Sequence, residues 1–396
     1  MLLGTLDTKG WEYAFLRERL AALGVESVLV DAGVNEPVGA APDVTNDMVA
    51  AAGDSTRAEV VAAGRGVAVE VMARGATSVV LDLFAEGRVD GIVALGGSGG
   101  SAIATAAMRA LPVGVPKLMV STLASGDTRA YVGAVDITMM YSVVDIAGIN
   151  SVSARIIANA AAAIAGMAST KPPTIESKPL IAASMFGVTT PCVTHARELL
   201  EKRGYEVLVF HATGTGGRSL ERLASEGFLA GVLDVTTTEL ADDLVGGVLS
   251  AGPTRLEAAG SAGVPQVVSL GALDMVNFGP VETVPAEFRS RTLYRHNPTV
   301  TLMRTTPAEC AELGRRVGAK LATAKGPTAV FVPRGGVSTI DVEGQPFHDP
   351  EADEALRAGL RETIGSVEIH ELDLEINDER FAAAMANRLV ELIEEA

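Results

Sequence analysis

The chain has 396 residues, 48% of them apolar and only 4% aromatic, and a formal net charge of −17. That length suits two or three domains of ~100–200 residues. So acidic a surface repels DNA and RNA, which excludes nucleic acid as a partner. Cys192 and Cys310 form neither a metal-ligand pattern nor a disulfide framework, which fits a reducing compartment. There is no basic, then apolar, leader at the start. The apolar stretch 156–168 is broken by Asn159 and falls short of the ~20 residues a membrane span needs. The expectation is a cytoplasmic protein without a membrane partner.

In chain order, an apolar run at 1–3 predicts a strand ending at Gly4. A 3.6-residue period predicts a helix over 11–23, stopped by Gly24, and a strand over 25–30 follows. After a loop rich in Pro, Gly and Asp come predicted helices over 55–74 and 78–86 and a strand over 89–95. A glycine run opens a helix ending near 110, then a strand over 117–121 and an Ala-rich helix over 151–168. Residues 169–178 (STKPPTIESK) are polar and proline-bearing, a linker between a 1–168 lobe and a 179–396 lobe.

The second lobe repeats the pattern. Strands are predicted over 180–186, 205–210, 228–235 and 266–270, with helices over 191–203, 214–225, 239–249 and 254–262 between them. The tail, 327–396, adds strands at 329–332 and 367–371 and helices from 350 and 379, expected to pack on that lobe. Both lobes open as strand, Gly-containing turn, helix, Gly, strand. The fold class is therefore α/β, two parallel-sheet lobes with right-handed crossovers and a cleft between them, and ligands belong at the strands' carboxyl ends.

Every motif falls at such an end. In LGGSGGSAIAT, Gly96, Gly97, Ser98, Gly99, Gly100 and Ser101 join a strand to a helix. Without Cβ atoms this backbone can approach a phosphate, and the helix N-terminus adds partial positive charge. The loop matches neither the Walker A nor the dinucleotide fingerprint, and a tight turn needing small residues explains it as well. In GTLDTKG, Thr5, Asp7, Thr8 and Lys9 share that sheet edge, with Lys9 suited to a phosphate and Asp7 to Mg²⁺ through water. Capping by Asp7 or Thr8 is the bland alternative. Ser121, Thr122, Ser125, Gly126 and Asp127 follow another strand, as phosphate or ribose ligands or as a solvated loop.

In the second lobe, Gly214, Gly216 and Gly217 precede a helix with Arg218 in its first turn. A cation there opposes the helix dipole unless it meets an anion, so this is a candidate second anion site. His211, Asp234 and His296 are candidate acid/base groups, and Asp234 with Glu239 forms a carboxylate pair at a strand end suited to acid/base or metal roles, with Thr238 capping the next helix as the bland alternative. Asp274, Asn277 and Asn297 are polar residues among apolar ones, either cleft-lining or internally hydrogen-bonded. Cys192, at a helix start, is read as buried and inert.

The strings GTLDTKG, LGGSGGSAIAT, VPKLMVSTLASGDTRAYVG, DITMMYSVVDIAGIN, FHATGTGGR, DVTTTELADDLVGGVLSAG and GALDMVNFGP resemble the family of the ATP-binding N-terminal domain of the tomato tobamovirus-resistance protein, together with its bacterial uncharacterised-protein-family members. The resemblance runs from Gly4 to the C-terminal helix. It implies two Rossmann-like lobes, ATP with or without Mg²⁺ in the first, and a homodimer. Plant members carry a further TIM-barrel-like domain akin to phosphoenolpyruvate-family lyases, so a separately encoded partner of that type is expected here. Carried over by motif, the nucleotide site comprises residues 96–101, 121–127 and 5–9. Glu375 departs from the family pattern and receives no role. Three readings stand: an ATP-dependent enzyme acting on a small carboxylate held near Arg218, a nucleotide-sensing module without turnover, and an ATP-independent hydrolase or lyase.

Overall fold

The computed structural model describes residues 1–171 and 177–396. The expected linker at 169–178 falls in part on 172–176, outside the described residues. The chain divides into two compact units, Met1–Thr174 and Ile175–Ala396.

The first unit runs β1 (Leu2–Gly4), α1 (Leu6–Ala22), β2 (Leu29–Asp31), α2 (Asn46–Ala52), α3 (Arg57–Ala62), α4 (Arg65–Ala85), β3 (Ile92–Gly96), α5 (Ser98–Ala110), β4 (Lys117–Ser121), α6 (Arg129–Val132), β5 (Thr138–Tyr141) and α7 (Ser153–Ser169). Its five strands pair in parallel in the order β2-β1-β3-β4-β5. β1 to β4 are buried along their whole length, as the near-continuous apolar runs require of a sheet covered on both faces. Leu6, Tyr13 and Leu16 of α1 and Ile157 and Ile164 of α7 fill one face. Met72, Ala76 and Val80 of α4 and Ile103, Ala107 and Met108 of α5 fill the other.

The expected helices at 55–74 and 78–86 are instead α3 and α4. The break comes at Gly64, whose φ of +83° ends helical continuation. The chain then passes through 74–78 without interruption. Gly75 there is no breaker: a Cβ on it would lie 1.8 Å from the Val49 carbonyl, so it lets α4 approach α2 closely.

The second unit runs β6 (Leu180–Met185), α8 (Thr190–Lys202), β7 (Glu206–His211), α9 (Thr215–Ser225), β8 (Gly231–Thr236), α10 (Glu239–Val245), α11 (Ala258–Ala262), β9 (Gln266–Gly271), β10 (Met275–Phe278), β11 (Leu293–Asn297), β12 (Val300–Arg304), α12 (Pro307–Leu321), β13 (Thr328–Pro333), α13 (Pro350–Thr363), β14 (Glu368–Leu372) and α14 (Glu379–Glu395). The main sheet is parallel, ordered β14-β13-β9-β8-β6-β7. The tail strands β13 and β14 are thus integral to this sheet. A small antiparallel sheet, β10-β12-β11, was not foreseen. Nor was α12, which a capping box between Thr306 and Glu309 and Pro307 in its first turn start cleanly. Among the described residues no helix is long and apolar enough to cross a membrane.

Candidate functional site

At the carboxyl ends of β1, β2 and β3 the first unit encloses a cavity of about 630 Å³, within the ~300–1,000 Å³ usual for small-molecule sites. Thr5, Asp7, Thr8 and Lys9 follow β1 onto its wall, Gly33, Val34 and Asn35 follow β2, and Gly97, Ser98, Gly99 and Gly100 follow β3. Val60, Val61, Val69, Met72 and Ile103 form an apolar wall, and Arg65 stands in the first turn of α4.

The glycine turn divides in two by what its neighbours demand. A Cβ on Gly96 would press 3.0 Å from the backbone of Gly100 and Ser101, so packing requires that glycine. On Gly97, Gly99 or Gly100 a Cβ would meet nothing nearer than 3.7 Å. None of these three has a positive φ. A merely tight turn therefore accounts for one glycine of the four. The other three keep the α5 N-terminus bare on the cavity side. No side chain caps α5, and its first backbone bond is Ser101 N–H to the Gly97 carbonyl, at 2.8 Å. The amides before it form the helix's positive end.

The exposed Arg65 side chain has no hydrogen bond or ion pair among the described residues. A guanidinium in a helix first turn opposes the dipole, so an anion in the cavity would relieve it. The sequence reading missed Arg65; the signal was a cation directly after a helix-starting glycine. Lys9 lines the same cavity and donates to the Ile146 carbonyl. Thr5 and Thr8 share a hydroxyl–hydroxyl bond of 3.1 Å at an exposed position.

Asp7 serves the loop after β2. Its Oδ2 accepts from Val34 N–H, Asn35 N–H and the Asn35 side chain at 3.2, 3.1 and 3.2 Å. Asp31, also missed, accepts from Leu6 and Gly33 N–H at 3.0 and 2.8 Å through Oδ1. Its Oδ2 is buried without a partner. Burial, opposed by those two amide bonds, pushes the Asp31 carboxyl up. A Cβ on Gly33 would come within 2.7 Å of Asp7, which fixes glycine there. Among the described residues no three carboxylates, histidines or cysteines gather as a metal set. Of the Asp7 carboxylate, Oδ1 has no hydrogen bond among the described residues, so a divalent cation here would take most of its ligands from phosphate and water.

Several sequence candidates lie elsewhere. Ser101 and Ser121 are fully buried and bonded to each other at 2.8 Å. They pin α5 to β4 and do not face a ligand. Thr122 borders the glycine turn, 3.7 Å from a Cβ on Gly97. Ser125, Gly126 and Asp127 are exposed and off the cavity wall. Asp127 is clasped by Arg129, whose side-chain hydrogen bonds hold its carboxyl down to about 2.

In the second unit the proposed anion site at Gly214, Gly216, Gly217 and Arg218 is corrected. The amides of Gly214 and Gly217 donate to Oε1 of Glu239, at 2.6 and 3.0 Å, and that carboxylate is fully buried. The protein supplies its own anion. Gly216 packs on the His211 carbonyl, 1.8 Å from where its Cβ would stand. Arg218 is exposed, with long contacts of 3.3 Å to the Ser250 carbonyl and 3.5 Å to Thr215. Asp234 is corrected as an acid/base candidate. It is buried, pairs with Arg255 through both oxygens and accepts from Ser184 at 2.6 Å. His211 and His296 are exposed at the ends of β7 and β11, and with Asp234 so engaged no triad forms. Asp274 and Asn277 are buried and internally bonded, Asp274 to Ser338 and Asn277 to Asp242 and Thr238. Asn297 caps the exposed turn to Thr299. Burial pushes the Cys192 thiol up to about 12, so it is inert.

These features define an α/β protein of two Rossmann-like, parallel-sheet lobes, the first holding a glycine-lipped cavity. The chain belongs to the UPF0261 family. The models for the uncharacterised protein family (UPF0261) N-terminal and C-terminal domains match residues 1–173 and 178–393. A UPF0261 protein of Clostridium tetani is 54% identical, covering 100% of this chain and 98% of that protein. One of Rhizobium meliloti is 49% identical, covering 97% and 96%. The ToMV resistance protein Tm-1 of Solanum lycopersicum is 45% identical over 78% of this chain and 42% of its own length.

Proposed function

We propose that the first unit binds a nucleotide, ATP with its Mg²⁺, in this cavity. The carrying observation is that Gly97, Gly99 and Gly100 are glycines where the protein's own packing leaves room for a side chain. Backbone amides at the α5 N-terminus, with Lys9 and Arg65, receive the phosphates. The valine and methionine wall takes the base. Asp7 Oδ1 faces the Mg²⁺ that the phosphates carry. The residues supply binding, orientation and charge, and no acid/base group among them stands ready for a reaction. The reading favoured is therefore a nucleotide-responsive module, with the homodimer implied by the family resemblance. A small-carboxylate substrate loses its support, because Glu239 fills the second anion site.

Isothermal titration with ATP·Mg²⁺ tests it. Binding to the wild type, lost in Gly97→Val and Gly99→Val variants that keep their circular dichroism, is the expected result. Unchanged affinity in those variants rejects the site. ADP release in the presence of small carboxylates would replace the module reading with an enzymatic one.

A further inference from the structure

Two polar contacts fasten the segment between β5 and α7 to α1. The Lys9 ammonium donates to the Ile146 carbonyl at 2.5 Å. The Gly148 N–H donates to the Glu12 carboxylate, also at 2.5 Å. Between these points the Ile146 side chain is buried in the core that α1 and α7 share. Its two ends are tied as well, Ser142 N–H to the Ser121 carbonyl at 3.2 Å and Ser153 to both Gly148 and Asn150, while most of the side chains between are open to water. Val143, Asp145, Ala147, Ile149 and Asn150 are exposed. Val143 has a φ of +63°, a conformation that costs a β-branched residue free energy. Lys9 itself departs from helical geometry inside α1, with φ −132° and ψ 18°. It is also one of the residues on the cavity wall. One side chain thus borders the cavity and holds the segment.

We infer that a phosphate-bearing ligand in the cavity and the order of residues 142–150 are coupled through Lys9. This rests on the nucleotide-site reading above and names its regulation. An ammonium has three donors and no acceptor. One is committed to Ile146, and no other partner holds it among the described residues. Phosphate oxygens can therefore take the others without breaking the tether. Once held from both sides, the ammonium no longer swings to water, and the segment is ordered with it. Coupling is reciprocal: the factor by which the ligand favours the ordered segment is the factor by which the ordered segment favours the ligand. Glu12 separates the two effects, since it binds the segment and does not line the cavity.

The test is amide hydrogen exchange of the full chain, with and without ATP·Mg²⁺, alongside calorimetry. Exchange over 142–150 is expected to slow by about fivefold or more on binding, the lower range of measured site-to-site couplings. Lys9→Met is expected to exchange fast there with and without ligand. Glu12→Ala, off the cavity wall, is expected to speed exchange without ligand and to weaken ATP binding by up to the factor by which ATP slows exchange in the wild type. Two results overturn the coupling. One is heat of ATP binding with unchanged exchange over 142–150. The other is a Glu12→Ala chain, folded by circular dichroism, whose segment opens while its affinity stays. Absence of any binding heat instead fails the nucleotide site itself and removes the coupling with it, a result told apart by the calorimeter.

Discussion

Arg255 and Asp234 meet fork to fork, the two terminal guanidinium nitrogens 2.5 and 2.7 Å from the two carboxylate oxygens, both side chains shut off from water. The same guanidinium reaches Glu239 at 2.7 Å and Glu221 at 3.1 Å. One cation thus answers three carboxylates beneath the glycine turn of α9. Arg255→Met would leave that charge uncompensated, at a cost of ~3–5 kcal/mol. Arg255→Lys would not rescue it, because a point charge cannot serve the bidentate geometry. Chemical denaturation should show the loss in both variants, and a change below ~1 kcal/mol would refute this account of the second unit.

Arg65 makes the opposite case, a cation with no partner to lose. Arg65→Ala should leave thermal stability within ~0.5 kcal/mol. It should weaken ATP binding by about tenfold, the worth of one charge-assisted hydrogen bond to phosphate. The wild type's affinity should also fall with added salt more steeply than the variant's, since one fewer charge is screened. Titrations at two ionic strengths check both statements.

The contrast between these arginines shows what the sequence made legible. Alternating apolar runs and glycines revealed both parallel sheets, because strands buried on two faces leave a pattern that needs no tertiary knowledge. β4 lies at the predicted 117–121. The antiparallel β10–β12 sheet left no such pattern. β11 reads Leu-Tyr-Arg-His-Asn and is largely exposed, while β10 is buried throughout yet lies in a stretch read as polar cleft residues. At the sites, one-dimensional logic saw a cation in a helix first turn at Arg218 and inferred an external anion. It could not see Glu239, 22 residues beyond Gly217, arriving to fill the amides. Nor could it tell Asp234 as an ion-pair partner from Asp234 as a base. Strand ends locate a site, but long-range pairing decides which residues remain available to a ligand.

Asp242 gives a pH dependence of defined sign. It is buried against Asn277, whose backbone and side-chain N–H groups donate to it at 2.9 and 2.6 Å. Burial outweighs those bonds and pushes its carboxyl up to about 7. Between the unfolded value near 4 and about 7, the native state holds a proton that the unfolded chain has released. Stability from this group is therefore greatest below pH 4 and declines as pH rises through that window. Asp341 and Asp274, crowded around Arg304, are pushed up by burial and carry the same sign. Asp242→Asn removes one such contribution. The difference in melting temperature, variant minus wild type, should grow more positive from pH 5 to pH 8. A difference flat across that range would sink the assignment.

The two lobes each place a glycine turn before a helix, and alanine should act oppositely in them. At Gly217 a Cβ would stand 2.0 Å from Glu239 Oε2 and 2.7 Å from Arg255 Nε, atoms fixed in a buried ion network. Gly217→Ala should destabilise the second unit by ~1–3 kcal/mol, as overpacking does. Gly99 lies in the first turn of α5, and a Cβ on it would meet only Val69 of α4, at 3.8 Å. Gly99→Ala gains helix propensity, up to ~1 kcal/mol, so the first unit should melt slightly higher. The same methyl would stand in the proposed path of a phosphate and lower ATP affinity. Thermal melts and calorimetry on both variants decide this. A Gly99→Ala chain that is more stable and binds ATP undiminished would show that the bare turn serves folding alone.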